Sequence, residues 1–363
     1  MTTSDIEYLV LICLFLFLFS IGAKKKFKHE SKPLWGVDIN TTNALKGMAC
    51  VFILMGHYAQ RRLDLESISW GISKVVWLTS ASIALSWFMY FSGYGLSIKA
   101  KNSAPLLAQW LKRIKKIYLP LLVVCVTTTI LYFLLPEKYS VEECERLWLS
   151  SDIHDLHHLN ISVLPTIVIH TIGWRDWYVC CILLFYTFFY FSQFLEEKTN
   201  INQTYILWTF MLIYFIWAYF YFGPPQAHWY RYCWVFFGGH CHARWANWSM
   251  KYKIINCVLF FLLASSLLVQ EMTMLIVYFL AFIGLLVAII FNGKYTIDNK
   301  ILACMGSISY IFYLSHIRIG YHILTYVGVN SILLWVSITL LSSYIISKYH
   351  IVTRILKRIK IFH

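Results

Sequence analysis

Charge is scarce in this chain, and acidic charge scarcest. Of 363 residues only 17 are Asp or Glu against 31 Lys or Arg, and charged residues make up 13%. A soluble domain of this length carries about a quarter of its residues charged, so so little ionisable surface excludes an ordinary soluble fold. No low-complexity segment interrupts the chain, and no duplicated half of the kind that marks many secondary transporters is visible. The formal net charge of +14 does not point to nucleic acid, because the basic residues fall in short clusters between apolar runs and make no continuous basic face. The 10 cysteines show no metal-ligand spacing and no compact secreted framework. Most of them, including Cys13, Cys50, Cys125, Cys180, Cys181, Cys233, Cys257 and Cys304, lie in or beside apolar runs and read as small buried hydrophobes, while Cys144 sits in a polar loop.

What is present instead is apolar sequence: 59% hydrophobic and 18% aromatic residues, with a mean hydropathy of +0.62. Apolar runs fall at about 8–22, 42–60, 75–98, 117–135, 174–194, 204–222, 229–245, 254–269, 272–291, 301–325 and 329–349. Runs of this length predict an all-α polytopic transmembrane helical bundle with about 10–11 spans in a lipid bilayer. The first run resembles a signal-peptide core, yet Asp5 and Glu7 precede it, lysines follow it, and no small-residue cleavage site appears. It reads as a retained helix.

Positive residues concentrate on the cytoplasmic side of membrane proteins. Alternating sides from an outside N-terminus puts Lys24 to Lys32, Lys99 to Lys116, Arg244 to Lys253, Lys294 to Lys300 and Arg354 to Lys360 inside. The segment 136–172, with Glu137, Glu142, Glu143, Glu145, Asp152 and Asp155, then falls outside, and the C-terminus is cytoplasmic. Arg61 and Arg62 at an outer end, and Glu196 and Glu197 at an inner one, run against the pattern. The expected organisation is an N-terminal helix and basic linker over 1–36, followed by one membrane domain over 37–363.

Within that domain one helix is bracketed by Lys46 and His57. Eleven residues (57 minus 46) are roughly three turns, so both side chains project from one face, roughly 16 Å apart along the axis. A ligand that reaches both is extended. Lys46 at the cytoplasmic end can hold an anion, or can simply snorkel to the interface; His57 can act deeper in the membrane, or can be a hydrogen-bonded bundle residue. Phe91-Ser92-Gly93-Tyr94 is a second polar interruption, suited to a ligand or to close helix packing. A third element, Arg113-Ile114-Lys115-Lys116 before Pro120, offers a guanidinium fork and point charges for phosphates, or ordinary cytoplasmic anchoring.

These pieces in this order resemble the acyltransferase-3 family of membrane acyltransferases: Lys46-Gly47 through His57, then Phe91-Ser92-Gly93-Tyr94, then Arg113 to Pro120. Gly173-Trp174-Arg175-Asp176-Trp177-Tyr178 resembles the family's aromatic start of a later span, and the stretch Gly306 to His316 its Ser-Tyr-x-x-Tyr-Leu-x-His segment. The likeness covers about residues 40–350. Lys46 stands where many members carry Arg and Asn43 where many carry Asp, so neither a bidentate fork nor a carboxylate is available at those positions.

The resemblance implies a ten-span core with one added N-terminal helix, in a bacterial cytoplasmic membrane. It implies transfer of an acyl group, acetyl foremost, from cytoplasmic acyl-CoA to a hydroxyl of a cell-surface or exported glycan. No tightly bound cofactor or metal is implied; acyl-CoA is a co-substrate. Its phosphates would be held by Lys46, Arg113, Lys115 or Lys116, with Ser92 and Gly93 also on the donor; Lys46 and His57 would form the catalytic set, His57 as general base or acyl relay. Trp174, Asp176, Trp177, Tyr178 and His316 would meet the acceptor. His154, His157, His158 and His170 match no standard metal site and read as loop. A transporter or flippase for a glycan or small anion is the alternative from another class, and oligomeric state is not legible.

Overall fold

The computed structural model describes residues 3–25, 38–66, 72–99, 105–134, 177–223, 228–245 and 272–349, with isolated positions at 249, 251 and 255. Asp38 opens the helix that carries the Lys46 motif: its carboxylate accepts the Thr41 backbone N–H at 2.9 Å and the Thr41 hydroxyl at 3.0 Å, satisfying donors that a helix start leaves without partners. From there α2 runs Ile39–Glu66, preceded by α1 (Thr3–Gly22) and a short strand β1 (Ala23–Lys25). α3 (Ile72–Lys99) and α4 (Leu106–Leu134) follow, then α5 (Trp177–Thr199), α6 (Gln203–Phe222), α7 (Cys233–Trp245) and α8 (Met272–Lys294). A second short strand, β2 (Tyr295–Ile297), leads to α9 (Lys300–Ser307) and α10 (Ser309–Ser315), a π-helical stretch (His316–Tyr321), α11 (His322–Val327) and α12 (Ile332–Tyr349).

The helix ends follow from side chains and glycines at the expected places. Asn202 accepts from Thr204 N–H at 2.9 Å to start α6, and Gly223, at a φ of 71°, ends it. Asn299 accepts from Ile301 and Leu302 N–H groups at 3.0 and 3.2 Å to start α9, and Gly328, at a φ of 74°, closes α11. Strands β1 and β2 pair antiparallel, with Ala23 opposite Ile297 and Lys25 opposite Tyr295. This ribbon ties the end of α1 to the turn after α8.

Apart from that ribbon the described fold is all α. At a rise of about 1.5 Å per residue, the 28 residues of α2 or α3 reach about 42 Å, enough to cross a bilayer. By length and apolarity together, two described helices qualify as spans, Trp177–Thr199 and Gln203–Phe222. A third is the pair Lys300–Ser307 and Ser309–Val327, bent by 62° at its break. The apolar run expected as a span over 301–325 is therefore not one continuous helix. The apolar run at 254–269 and the acidic segment 136–172 lie outside the described residues.

Helix α6 is apolar all round, and its outward side chains stay uncovered: Phe220 is 81% exposed and Ile213 59%. A band of this kind has lipid as its natural solvent. The chain is an integral membrane protein, and its core sits where α2 and α3 pack on each other, with α9 on the far side of α2 and α7 and α8 against α3.

Two close approaches hold that core. A Cβ on Gly306 would overlap the Asn43 carbonyl, and one on Gly47 would lie 2.6 Å from the Leu302 carbonyl oxygen, so α2 and α9 meet backbone to backbone. Gly93 and Gly239 do the same for α3 and α7: a Cβ on Gly93 would overlap the Phe236 carbonyl, and one on Gly239 the Tyr90 carbonyl.

Candidate functional site

Two clusters lie along α2, one around each end of its motif. The first gathers cations. Lys46, partly buried, feels the charges of Lys99 at the end of α3 and Arg113 in α4; Lys116 in turn feels Arg113, Lys99 and Lys112. Ser92 hydrogen-bonds the Tyr186 hydroxyl, and Arg113 acts on the same phenol. Four of the predicted donor-site residues, Lys46, Ser92, Arg113 and Lys116, are thus linked through Lys99 and Tyr186, two groups the sequence motifs did not single out. These cations gather at one end of α2, and phosphates would suit both the fork of Arg113 and the point charges of the lysines.

Lys115 is exposed on the same turn. Gly93, by contrast, has its Cα pressed on the α7 backbone, so its small size is used in packing. On the same side Ser97 hydrogen-bonds His240 Nδ1 at 2.8 Å and Thr204 hydrogen-bonds His240 Nε2 at 3.1 Å. His240 is fully buried and has both ring nitrogens engaged, which fits a pin between α3, α6 and α7. Next to it His242 hydrogen-bonds the Tyr90 hydroxyl. Neither histidine was legible as a partner of these helices in the sequence.

The second cluster is aromatic and surrounds His57. The His57 and His316 rings stand 5.1 Å apart, centroid to centroid, at 38°. His316 is 2% exposed and lies at the first position of the π-helical stretch. Its Nδ1 hydrogen-bonds the Tyr313 carbonyl; a carbonyl only accepts, so Nδ1 carries a proton. Its own carbonyl accepts the Trp335 indole N–H at 2.6 Å. His316 is therefore held from both α10 and α12.

From His316 the aromatic wall continues through Tyr313, at 5.6 Å, to Tyr178, at 4.6 Å from Tyr313, and on to Trp177. Trp177 stacks on Tyr232 at 5.8 Å and 19° and meets His228 at 5.1 Å. Three predicted acceptor-side residues, Trp177, Tyr178 and His316, are brought onto one wall leading to His57. Tyr313 and Tyr232 join them. Trp174 and Asp176 lie outside the described residues.

A π-helical turn widens the backbone by one residue and often occurs at functional sites, because it turns a side chain off the regular helical face. Here it falls on His316. With Lys46 and His57 eleven residues apart on α2 (57 minus 46), the cation cluster and the imidazole pair are separated by roughly 16 Å of helix. That layout suits a long ligand with an anionic end and a reactive end.

No curated protein and no solved structure matches the chain. A family profile described as an acyltransferase domain does match, over residues 39–347, from the start of α2 to the last turn of α12. The match contains both clusters and leaves out α1, and the chain belongs to the acyltransferase-3 family of membrane acyltransferases.

Proposed function

We propose that this membrane acyltransferase takes an acyl group, acetyl foremost, from cytoplasmic acyl-CoA and transfers it to a hydroxyl of an exported or cell-surface glycan. The observation that carries the reading is the pairing of a cation cluster and an imidazole pair on one face of α2, at the separation of an extended thioester ligand. The phosphates of the donor sit at Lys46, Arg113 and Lys116, with Lys99 adding to the field. The pantetheine arm runs along α2 and brings the thioester carbonyl to His57.

Neutral His57 then removes the proton of the acceptor hydroxyl as its oxygen attacks the thioester carbon; the C–S bond breaks and coenzyme A leaves as the thiol, with the proton returned from His57 to sulfur. In the relay form the His57 imidazole attacks the thioester carbon, the C–S bond breaks and coenzyme A leaves as the thiol with the imidazole proton; the acceptor oxygen then attacks the acyl carbon, the acyl–nitrogen bond breaks and the hydroxyl proton returns to the imidazole. Ser92, hydrogen-bonded to Tyr186 within the cation cluster, lies at the phosphate end of the donor and not at the thioester. His316, with its proton fixed on Nδ1, orients His57 through ring contact. Trp177, Tyr178 and Asp176 receive the sugar. The charge pattern supports a ten-span core plus α1 in the bacterial cytoplasmic membrane, with the N-terminus outside and the C-terminus inside.

Purified protein incubated with radiolabelled acetyl-CoA and a membrane glycan fraction tests this. His57→Ala is expected to retain coenzyme A binding while transfer falls by about 10²-fold or more. Lys46→Ala and Arg113→Ala should instead weaken binding of coenzyme A. Label transfer by His57→Ala at the wild-type rate would overturn the assignment.

A further inference from the structure

The family match begins at residue 39, yet α1, which precedes it, is bonded into the imidazole pair's support. Glu7 reaches across to the start of α12: one carboxylate oxygen accepts the Ser331 hydroxyl at 2.8 Å and the other the Ile332 backbone N–H at 2.9 Å. A carboxylate at a helix start satisfies its open donors and faces the positive end of its dipole, here from a helix more than 320 residues away in sequence (the Glu7 to Ser331 separation is 324). The next residue, Tyr8, is fully buried and packs edge-on against Tyr58 at 5.8 Å.

Both anchors end on neighbours of the imidazole pair. Tyr58 directly follows His57, donates its hydroxyl to the Asn330 carbonyl at 3.3 Å in the turn that Glu7 caps, and lies 6.1 Å from the Trp335 ring. Trp335 is fully buried one turn into α12 and donates to the His316 carbonyl at 2.6 Å. Glu7 and Tyr8 thus fix the register of α12 and the seat of Tyr58, and through them the placement of His316 and His57 against each other. The other end of α1 is fastened separately, by the Asn299 amide to the Leu18 carbonyl at 2.7 Å and by the pairing of β1 with β2.

We infer that α1 is a positioning element of the active site, in which Glu7 and Tyr8 hold the His57 and His316 rings in reacting geometry by way of Tyr58 and Trp335. The inference rests on the proposed role of His57. A catalytic pair needs placement within a fraction of an ångström, and a misplacement of about 1 Å costs up to about a hundredfold.

The test measures steady-state transfer from acetyl-CoA to the glycan fraction, per molecule of folded protein, for wild type, Tyr8→Ala, Tyr8→Phe, Glu7→Gln and Glu7→Ala. Tyr8→Ala and Glu7→Ala are expected to lower kcat by about tenfold with KM for acetyl-CoA within about twofold, because the cation cluster lies at the other end of α2. Tyr8→Phe keeps the ring and should restore kcat, Glu7→Gln should fall between, and the pH profile of kcat should move in the two Ala variants. If only the yield of folded protein drops while kcat and its pH profile stay at wild type, α1 is merely structural and the inference fails. Should Tyr8→Ala not fold, the two Glu7 variants decide alone. Absence of transfer by wild type would instead count against the proposed function.

Discussion

His57 illustrates how one residue's surroundings set its use. It lies on a helix whose length is mostly buried apolar side chain, beside a second imidazole whose proton is fixed by the Tyr313 carbonyl. Substituting His316 by Phe would keep the ring and remove the nitrogens; the expected result is a fall in kcat of about 10-fold or more with coenzyme A binding unchanged, read by the same transfer assay. The glycines give a sharper structural contrast. Gly306→Ala and Gly93→Ala each place a methyl onto backbone carbonyl and should lower the thermal midpoint in detergent, at a cost of about 1–3 kcal/mol. Gly95 has open space at its Cβ position, so Gly95→Ala should leave the midpoint in place or raise it. A Gly306→Ala midpoint equal to that of wild type would contradict the backbone contact of α2 with α9.

How much of this was legible depended on whether a signal was local. The pairing of Lys46 and His57 on one face follows from helical periodicity alone, and Arg113 announced itself by its cationic neighbours. His316 was visible as part of a motif, but its ring meets His57 across 259 residues of sequence (316 minus 57), a contact set by tertiary packing. Lys99 and Tyr186 gave no signal, one reading as a helix-end anchor and the other as one aromatic among many. The small size of Gly93 fitted a ligand or a packing contact equally, and only the Phe236 carbonyl against it decides between them.

Among the elements, the region from α9 to α12 departs furthest from expectation. A single apolar run over 301–325 becomes a helix bent by 62° and then a π-helical stretch, features that hydropathy cannot register because neither changes which residues are apolar. The break is useful, since it turns His316 toward α2 while Gly320 lets Trp335 and Thr339 of α12 approach closely. Trp335→Phe removes the indole donor to the His316 carbonyl and should destabilise the protein by about 1 kcal/mol while lowering kcat more than that loss of stability explains.

The β1 and β2 ribbon makes the opposite case. Its Lys24 to Asp298 ion pair, at 2.9 Å, is 67% and 63% exposed, so it is screened by solvent and adds little. Hydrogen bonding to Lys24 and its charge hold the Asp298 carboxyl below the ordinary aspartate value. The folded value is thus lower than the unfolded one, and the pair's contribution is present above the unfolded-chain value and lost as pH falls through the folded one. Asp298→Asn should leave the melting midpoint at neutral pH without measurable change, whereas a clear drop would show that the ion pair, not the ladder, holds the ribbon.

At the scale of the molecule, the apolar composition announced a membrane protein and the charge distribution proposed its orientation. The structure adds the all-α bundle around α2 and α3 and the lipid-facing flank of α6. The proposed orientation has its own check: reporter tags at the two ends should respond from opposite sides of the membrane, the N-terminal one from outside. Tags on the same side would require an even number of spans and would remove the assignment of Lys99 and Arg113 to the cytoplasm, where acyl-CoA is found.

The most direct measurement is the mass of surface polysaccharide from cells that carry the wild-type protein, no protein, or His57→Ala. An acyl mass increment present with wild type alone is the predicted result, and its size and position would name the acyl group and its acceptor. Equal acylation in all three, with glycan export altered when the protein is missing, would contradict the transferase and favour transport.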